Sequence, residues 1–195
     1  MKTRIIITRH WRTDYNDKHL FDYKNNASLS KIWKKQALEL ASILKNEKID
    51  KAYSSPLKRC IDTITPTAKE HNLEIQIVPE FIEINSPELQ DKEFSCKNYK
   101  WENSYWGWET IPEVYDRVTK AFKKIILENP WKTILICSHW DPTFLMRMYL
   151  EKLRWNEISY DNDKYTSWLY LENNPEKWWV KSMYAIEEID SDLVK

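Results

Sequence analysis

Two short, β-branched apolar runs organise the pattern of this chain. Ile5-Ile6-Ile7 stops at Thr8-Arg9-His10, and the run from Thr133 to Cys137 leads into Ser138-His139. Continuous apolar runs this short suit strands buried on both faces, at the centre of a sheet. Elsewhere the period becomes helical. Residues 29–46 place Ile32, Gln36, Leu40, Ile43 and Leu44 near helical spacing, and residues 111–127 do the same with Val114, Val118, Phe122 and Ile125. A third helix is expected from Pro56, a favoured first helical residue, passing Pro66 only with a kink or break. A fourth is expected over 144–153. Residues 52–54, 74–78, 166–171 and 179–183 read as shorter strands, and the acidic last ten residues as a loosely held tail.

Strands alternating with helices predict the α/β class, as a three-layer α/β/α sandwich with a mainly parallel central sheet. No internal repeat, low-complexity tract or linker interrupts the chain. One domain over 1–195 is expected, with an irregular lobe at about 85–110, where the sequence is polar and aromatic without clear period.

Composition narrows the function. Thirty basic residues balance thirty acidic ones, so the formal net charge is zero. A nucleic-acid binder usually carries a basic excess, so no nucleic-acid partner is expected, and any anion site must be made locally by a few convergent cations. Three cysteines, Cys60, Cys96 and Cys137, are too few for a disulfide framework and read as thiols in a reducing compartment. The apolar run near the start is too short for a signal-peptide core, and none approaches the roughly 18 residues needed to span a membrane. The expectation is a cytoplasmic protein with no membrane partner. Nothing in the pattern speaks to oligomeric state.

Candidate chemistry lies at the ends of the two buried strands. Catalytic groups in open α/β sheets gather at the carboxyl ends of strands, and His10 and His139 each leave one there. Either histidine alone is commonly an ordinary loop or core residue. The pair, each ending a central strand, points to a shared pocket. A metal site is the competitor, but neither His19 nor His71 stands at zinc-ligand spacing and no CxxC or HExxH occurs, so no metal is expected.

The stretch from Thr8 to Asn16, reading Thr-Arg-His-Trp-Arg-Thr-Asp-Tyr-Asn, resembles the signature of histidine phosphatases and phosphoglycerate mutases: Arg-His-Gly, then often Thr, with Asn a few residues on. Ser54-Ser55-Pro56-Leu57-Lys58-Arg59 resembles their second motif, whose arginine binds phosphate, and Ser138-His139-Trp140 resembles their late Ser-His-Gly. Leu29 to Ala37 is similar to the family's first helix. The matches keep the family's order from residue 3 to about 150. The resemblance implies a phosphoglycerate mutase-like fold, no cofactor, and phosphoryl transfer from a small phosphorylated substrate through a phosphohistidine. It implies His10 as nucleophile, with Arg9, Arg59 and His139 around the transferring group and Asn16 on a phosphate oxygen. A neutral imidazole can attack phosphorus, and guanidinium forks match the charged equatorial oxygens.

For the general acid, Phe81-Ile82-Glu83-Ile84-Asn85 resembles the segment in which the family carries it, so Glu83 is the candidate, with Glu80 and Glu109 in reserve. The family's following Gly-x-x-Glu-Gly pattern is replaced here by Pro87-Glu88-Leu89-Gln90-Asp91. Arg12 and Lys58 read as exposed charges outside the site. A phosphomonoesterase is the leading reading. The alternative within the enzymes is a phosphoglycerate mutase, disfavoured because residues 85–110 are short for the substrate-covering insertion of those mutases.

Glycine is anomalous. It occurs once, against eleven tryptophans, where average usage of about 7% would give roughly 14. Trp11, Trp33 and Trp140 stand where the resembled motifs carry glycine, and Trp106-Gly107-Trp108, before Glu109-Thr110, resembles another glycine-rich loop of the family. Independently of the family, Asn129-Pro130-Trp131-Lys132 is a proline turn whose type II form wants φ > 0 at its third residue, usually glycine. The hypothesis is that UGA codons meaning glycine, as in some bacterial lineages, stand here as tryptophan. UGG at codons 11, 33, 131 and 140 would end it. If Trp11 and Trp140 are literal, they crowd the site, and a catalytically silent phosphate-binding module is the further alternative.

Overall fold

The computed structural model describes residues 2–10, 13–18, 20, 22, 31–85, 90–92, 109–152 and 184–190. For residues 2, 16, 17, 31–33, 151 and 184–190 it describes the backbone alone. The elements are β1 (Lys2–Arg9), α1 (Asp14–Asp17), α2 (Lys31–Leu44), β2 (Lys51–Ser54), α3 (Lys58–Glu70), β3 (Ile75–Ile77), α4 (Ile111–Glu128), β4 (Thr133–Ser138), α5 (Trp140–Glu151) and β5 (Tyr184–Asp190). A 3-10 turn, Pro79–Phe81, follows β3. The sheet order is β3-β2-β4-β1-β5, with the first four strands parallel and β5 antiparallel to β1.

The two apolar runs are neighbours at the centre, paired Ile5 to Ile134, Ile6 to Leu135 and Ile7 to Ile136. Side chains alternate across a strand, so each run supplies both layers. Ile5, Ile7, Ile134 and Ile136 pack with Val114, Val118 and Phe122 of α4 and with Leu145 and Met146 of α5. Ile6, Leu135 and Cys137 pack on the other face with Ala37, Leu40 and Leu44 of α2 and Cys60 and Ile64 of α3. The result is the expected three-layer α/β/α sandwich. Each fully buried isoleucine contributes roughly 1.5–3 kcal/mol relative to exposure.

The helices depart from expectation in detail. In α2, Ile43 is exposed and Ala37 takes its place in the buried stripe. Helix α3 runs through Pro66 without a break. Burial of Cys60, Ile64 and Ala68 against the sheet side holds it together across the missing N–H. Helix α4 begins with a full capping box, Thr110 with Glu113, and proline in its first turn. Helix α5 starts at Trp140, four residues before the expected Phe144, because proline at its third position falls within a first turn that needs no N–H there.

The acidic tail requires a correction. Residues 184–190 form an edge strand on β1, with Ile186 opposite Ile6 and Ile189 opposite Thr3. Acidic composition hid the strand, although charged residues are common on sheet edges. The expected strands at 166–171 and 179–183 lie outside the described residues, as does most of the lobe expected at 85–110.

At the α4–β4 turn, Lys132 N–H donates to Asn129 O at 3.4 Å, and Trp131 is held at φ 65° with 71% of its surface exposed. A bulky side chain in the left-handed region is strained, by roughly 1–2 kcal/mol, and an exposed indole returns little packing. Trp131→Gly is therefore expected to raise stability by about 1 kcal/mol after allowing for the added freedom of glycine in the unfolded chain. Urea unfolding of the two forms checks this, and a lower midpoint for the glycine form would contradict it.

Candidate active site

Strand register assembles the site. Arg9 lies opposite Ser138 at the carboxyl ends of β1 and β4, and His10 N–H donates to Ser138 O at 2.9 Å. The next residues along each chain segment, His10 and His139, are thereby set side by side. Their rings meet edge to face, with centroids 5.1 Å apart and planes at 61°. Ser54 pairs with Cys137 one strand over, and Ser55 N–H donates to Cys137 O at 2.9 Å, which brings the start of α3 to the same edge. Residues more than a hundred positions apart converge because three parallel strands end together.

His139 is fully buried. Its Nε2 hydrogen-bonds Ser55 Oγ at 2.7 Å, with Cys60 Sγ 3.4 Å away. Burial above all, then the Arg59, His10 and Arg9 groups around it, depress its pKa well below the ordinary histidine value. The imidazole is therefore neutral near neutral pH. His10 is nearly as buried.

The cations flank this pair. Arg59 is 5% exposed, and its Nη1 donates to Asp22 Oδ2 at 3.3 Å, a pair almost wholly shielded from solvent. Arg9 places its guanidinium over the Trp140 ring, 5.2 Å from the centroid, and its Nε is buried with no hydrogen-bond partner among the described residues. Burial lowers the Arg9 pKa, against the pull of Glu83, with Arg59 adding to the fall. A guanidinium nevertheless stays charged in proteins. Two guanidiniums at one sheet edge suit an acceptor-rich anion.

Glu83 reaches the same place from the loop after the 3-10 turn. Its Oε2 accepts at 3.1 Å from Trp140 N–H, one of the first-turn groups that a helix cannot pair with its own carbonyls, and its Oε1 accepts from Ile84 N–H at 3.0 Å. Burial raises its pKa, against the Ile84 hydrogen bond and the Arg9, Arg59 and Arg117 charges. A carboxyl so placed holds its proton to higher pH than an exposed glutamate. The reserves stand elsewhere: Glu80 is exposed, and Glu109 is engaged by Arg117 through Nε at 2.6 Å and Nη2 at 3.0 Å.

The structure thus brings together His10, His139, Arg9, Arg59 and Glu83. Asn16 lies in α1, and its side chain is outside the described residues, as is Trp11. Lys58 pairs with Asp62 on the exposed side of α3, away from this cluster. Cys60 and Cys137 are buried free thiols. Among the described residues no group of three or more His, Cys, Asp or Glu could hold a metal ion, and no helix is long and apolar enough to cross a membrane.

Sequence reasoning missed Asp22 and Asp141. Asp141 is buried in the first turn of α5 and acts electrostatically on Arg9. Its signal was an acidic residue at a helix start, hidden by placing that start at Phe144. Asp22 sits in a polar stretch with no spacing that would mark it.

Two histidines and two guanidiniums at one sheet edge, with a carboxyl of raised proton affinity beside them, suit phosphoryl transfer, and known proteins similar to this chain share that chemistry. The profile of the histidine phosphatase superfamily, branch 1, matches residues 5–186. The chain belongs to the histidine phosphatase superfamily. It is a phosphomonoesterase. This histidine phosphatase is 30% identical over 153 residues to phosphoserine phosphatase 1 of Hydrogenobacter thermophilus, covering 71% of this chain and 72% of the relative. In fold it is similar to the mycobacterial glucosyl-3-phosphoglycerate phosphatase, with a TM-score of 0.70 at 18% identity over 79% of this chain and 82% of that one. The phosphoserine phosphatase of Entamoeba histolytica, solved with 3-phosphoglyceric acid, gives 0.69 at 23% identity over 77% and 81%.

Proposed function

We propose that this histidine phosphatase hydrolyses a small phosphorylated metabolite through a phosphohistidine on His10. The observation that carries the reading is the 5.1 Å approach of the His10 and His139 rings with Arg9, Arg59 and Glu83 acting on the same edge. In the first step a ring nitrogen of His10 attacks phosphorus, and the bond to the leaving oxygen breaks. Glu83 gives its proton to that oxygen. In the second step water attacks the phosphohistidine, its proton passes to the Glu83 carboxylate, the P–N bond breaks and phosphate leaves. Arg9 and Arg59 hold the equatorial oxygens. His139, kept neutral, adds a hydrogen bond without adding a third buried charge, and Asn16 binds a phosphate oxygen. The reaction is proposed to need no metal ion and to take place in the cytoplasm, with the irregular lobe around 85–110 of a single domain shaping the substrate pocket. The substrate is proposed to be of the size of phosphoserine, for which two of the relatives above are named.

A second reading has one observation in its favour. Arg9 rests on the Trp140 indole, where the resembled motif carries glycine. With tryptophan literally at 140 and 11, the guanidinium is held by the ring and the site is crowded, so turnover is slow and the pocket serves as a phosphate-binding module. The same experiment separates these readings and the mutase alternative. The Trp11→Gly/Trp140→Gly form is expected to release inorganic phosphate from phosphoserine at least about tenfold faster than the tryptophan form, since a misplaced guanidinium removes a charge-assisted bond. Equal rates would refute the crowding. An isomerised phosphoglycerate, with no phosphate released, would favour the mutase.

A further inference from the structure

Four consecutive backbone carbonyls, those of residues 80 to 83, are held by side chains instead of by a sheet or helix. Arg117 of α4 donates through Nη1 to Glu80 O and to Ile82 O, the latter at 2.8 Å, and through Nη2 to Glu83 O at 3.2 Å. Ser138 Oγ, at the end of β4, donates to Phe81 O at 2.6 Å. The remaining donors of Arg117 grip Glu109 as a fork, and Glu109 Oε2 accepts from Asn85 N–H at 3.0 Å, beyond the other end of the same loop. Both side chains of the pair are largely shielded, at 20% and 15% exposure. One guanidinium therefore satisfies three carbonyls of the loop and one carboxylate, and that carboxylate anchors the loop from behind.

The loop carries Glu83, and a displacement on the order of 1 Å at a reacting group can cost about 10²-fold in rate. We infer that Arg117 and Glu109 are positioning residues for Glu83: the clamp they form on residues 80–85 holds the Glu83 carboxyl against the start of α5, where proton donation to the leaving group takes place. The inference rests on Glu83 as the general acid. Glu109, a reserve for that role on sequence alone, has a different one in the structure. Its carboxylate is engaged by a guanidinium fork and a backbone N–H. Arg117 carries no signal in sequence, because a charged residue on the polar side of an amphipathic helix looks solvated.

The test uses leaving groups of unequal need. An alkyl phosphate such as phosphoserine requires a proton on the departing oxygen, whereas p-nitrophenyl phosphate releases a stable anion. The ratio kcat/KM reports the steps up to departure of the leaving group. Arg117→Met is expected to lower kcat/KM for phosphoserine on the order of 10²-fold while changing that for p-nitrophenyl phosphate only several-fold. Glu109→Gln, which keeps the side-chain shape and loosens the fork, is expected to show a smaller loss of the same selective kind. It carries the test if Arg117→Met fails to fold. Arg117→Met combined with Glu83→Gln is expected to be no slower than Glu83→Gln alone, because both act on one group. Equal losses on the two substrates, no loss on either, or multiplying losses in the double variant would overturn the clamp. If Glu83→Gln itself shows no preference between leaving groups, the general-acid reading fails. If Glu83→Gln is selective and Arg117→Met is not, the clamp alone fails.

Discussion

Replacing His10 with alanine is expected to lower phosphate release by on the order of 10³-fold or more, with the fold unchanged. The reason lies in how the work is divided at this site. A phosphomonoester resists hydrolysis because water is a poor nucleophile and the leaving oxygen is poorly stabilised. His10 supplies the nucleophile, and splitting the displacement in two lets each half use the same arginines and the same carboxyl. Removing the imidazole leaves Arg9, Arg59 and Glu83 in place, so substrate still binds but its phosphorus has no attacking atom. Groups that act as a unit lose nearly everything when one is removed. The variant should therefore lose kcat while retaining affinity for inorganic phosphate. The backbone should keep its fold, because His10 follows the last paired residue of β1 and its N–H still donates to Ser138 O. Wild-type turnover in the alanine variant would remove His10 from the mechanism.

Glu83→Gln is expected to have the second largest effect, a loss of about 10²- to 10⁴-fold on an alkyl phosphate. Here the pH profile separates a proton donor from a mere hydrogen-bonding group. Burial raises the Glu83 pKa, so the protonated form persists to higher pH than for an exposed carboxyl. Proton donation requires that form. Consequently kcat/KM falls as pH rises through the raised pKa, and this alkaline limb disappears in the glutamine variant, which has no proton to lose. The sign for stability agrees: a carboxyl with a raised folded-state pKa favours the fold most at low pH, and that contribution is lost as pH rises through the same window. The glutamine form is thus expected to be no less stable than the parent above neutrality. Persistence of the alkaline limb in Glu83→Gln would assign it to another group.

Much of this arrangement is legible in the chain because two apolar runs govern it. Ile5 to Ile7 and Ile134 to Cys137 are apolar on both faces, which the centre of a covered sheet accommodates, and each leads into a histidine. Parallel central strands deliver their next residues to one edge, so His10 and His139 had to approach each other. Arg59 lies in the first turn of α3, which follows β2, and β2 ends at the same edge. The Trp131 turn shows the same reasoning at the scale of four residues: the type II form of this proline turn wants a positive φ at the third residue, and the backbone has one there.

The hidden features depend on contacts between segments with no common period. Asp22 meets Arg59 across 37 positions, and Arg117 meets the carbonyls of residues 80, 82 and 83 across 34 to 37. Backbone carbonyls carry no residue identity, so no spacing rule could have pointed from Arg117 to that loop. The strand at 184–190 was hidden for a different reason. Four of its seven residues are tyrosine, alanine or isoleucine, but its three carboxylates dominate a composition window, and edge strands tolerate them.

The most direct measurement looks for the phosphoryl group on the enzyme. The Trp11→Gly/Trp140→Gly form, mixed with phosphoserine labelled in its phosphate and quenched in alkali within the first turnovers, should carry label on His10. That label should resist base, leave in mild acid, and be missing from the His10→Ala variant. Label on another residue, or steady release of phosphate from a protein that never becomes labelled, would contradict the account.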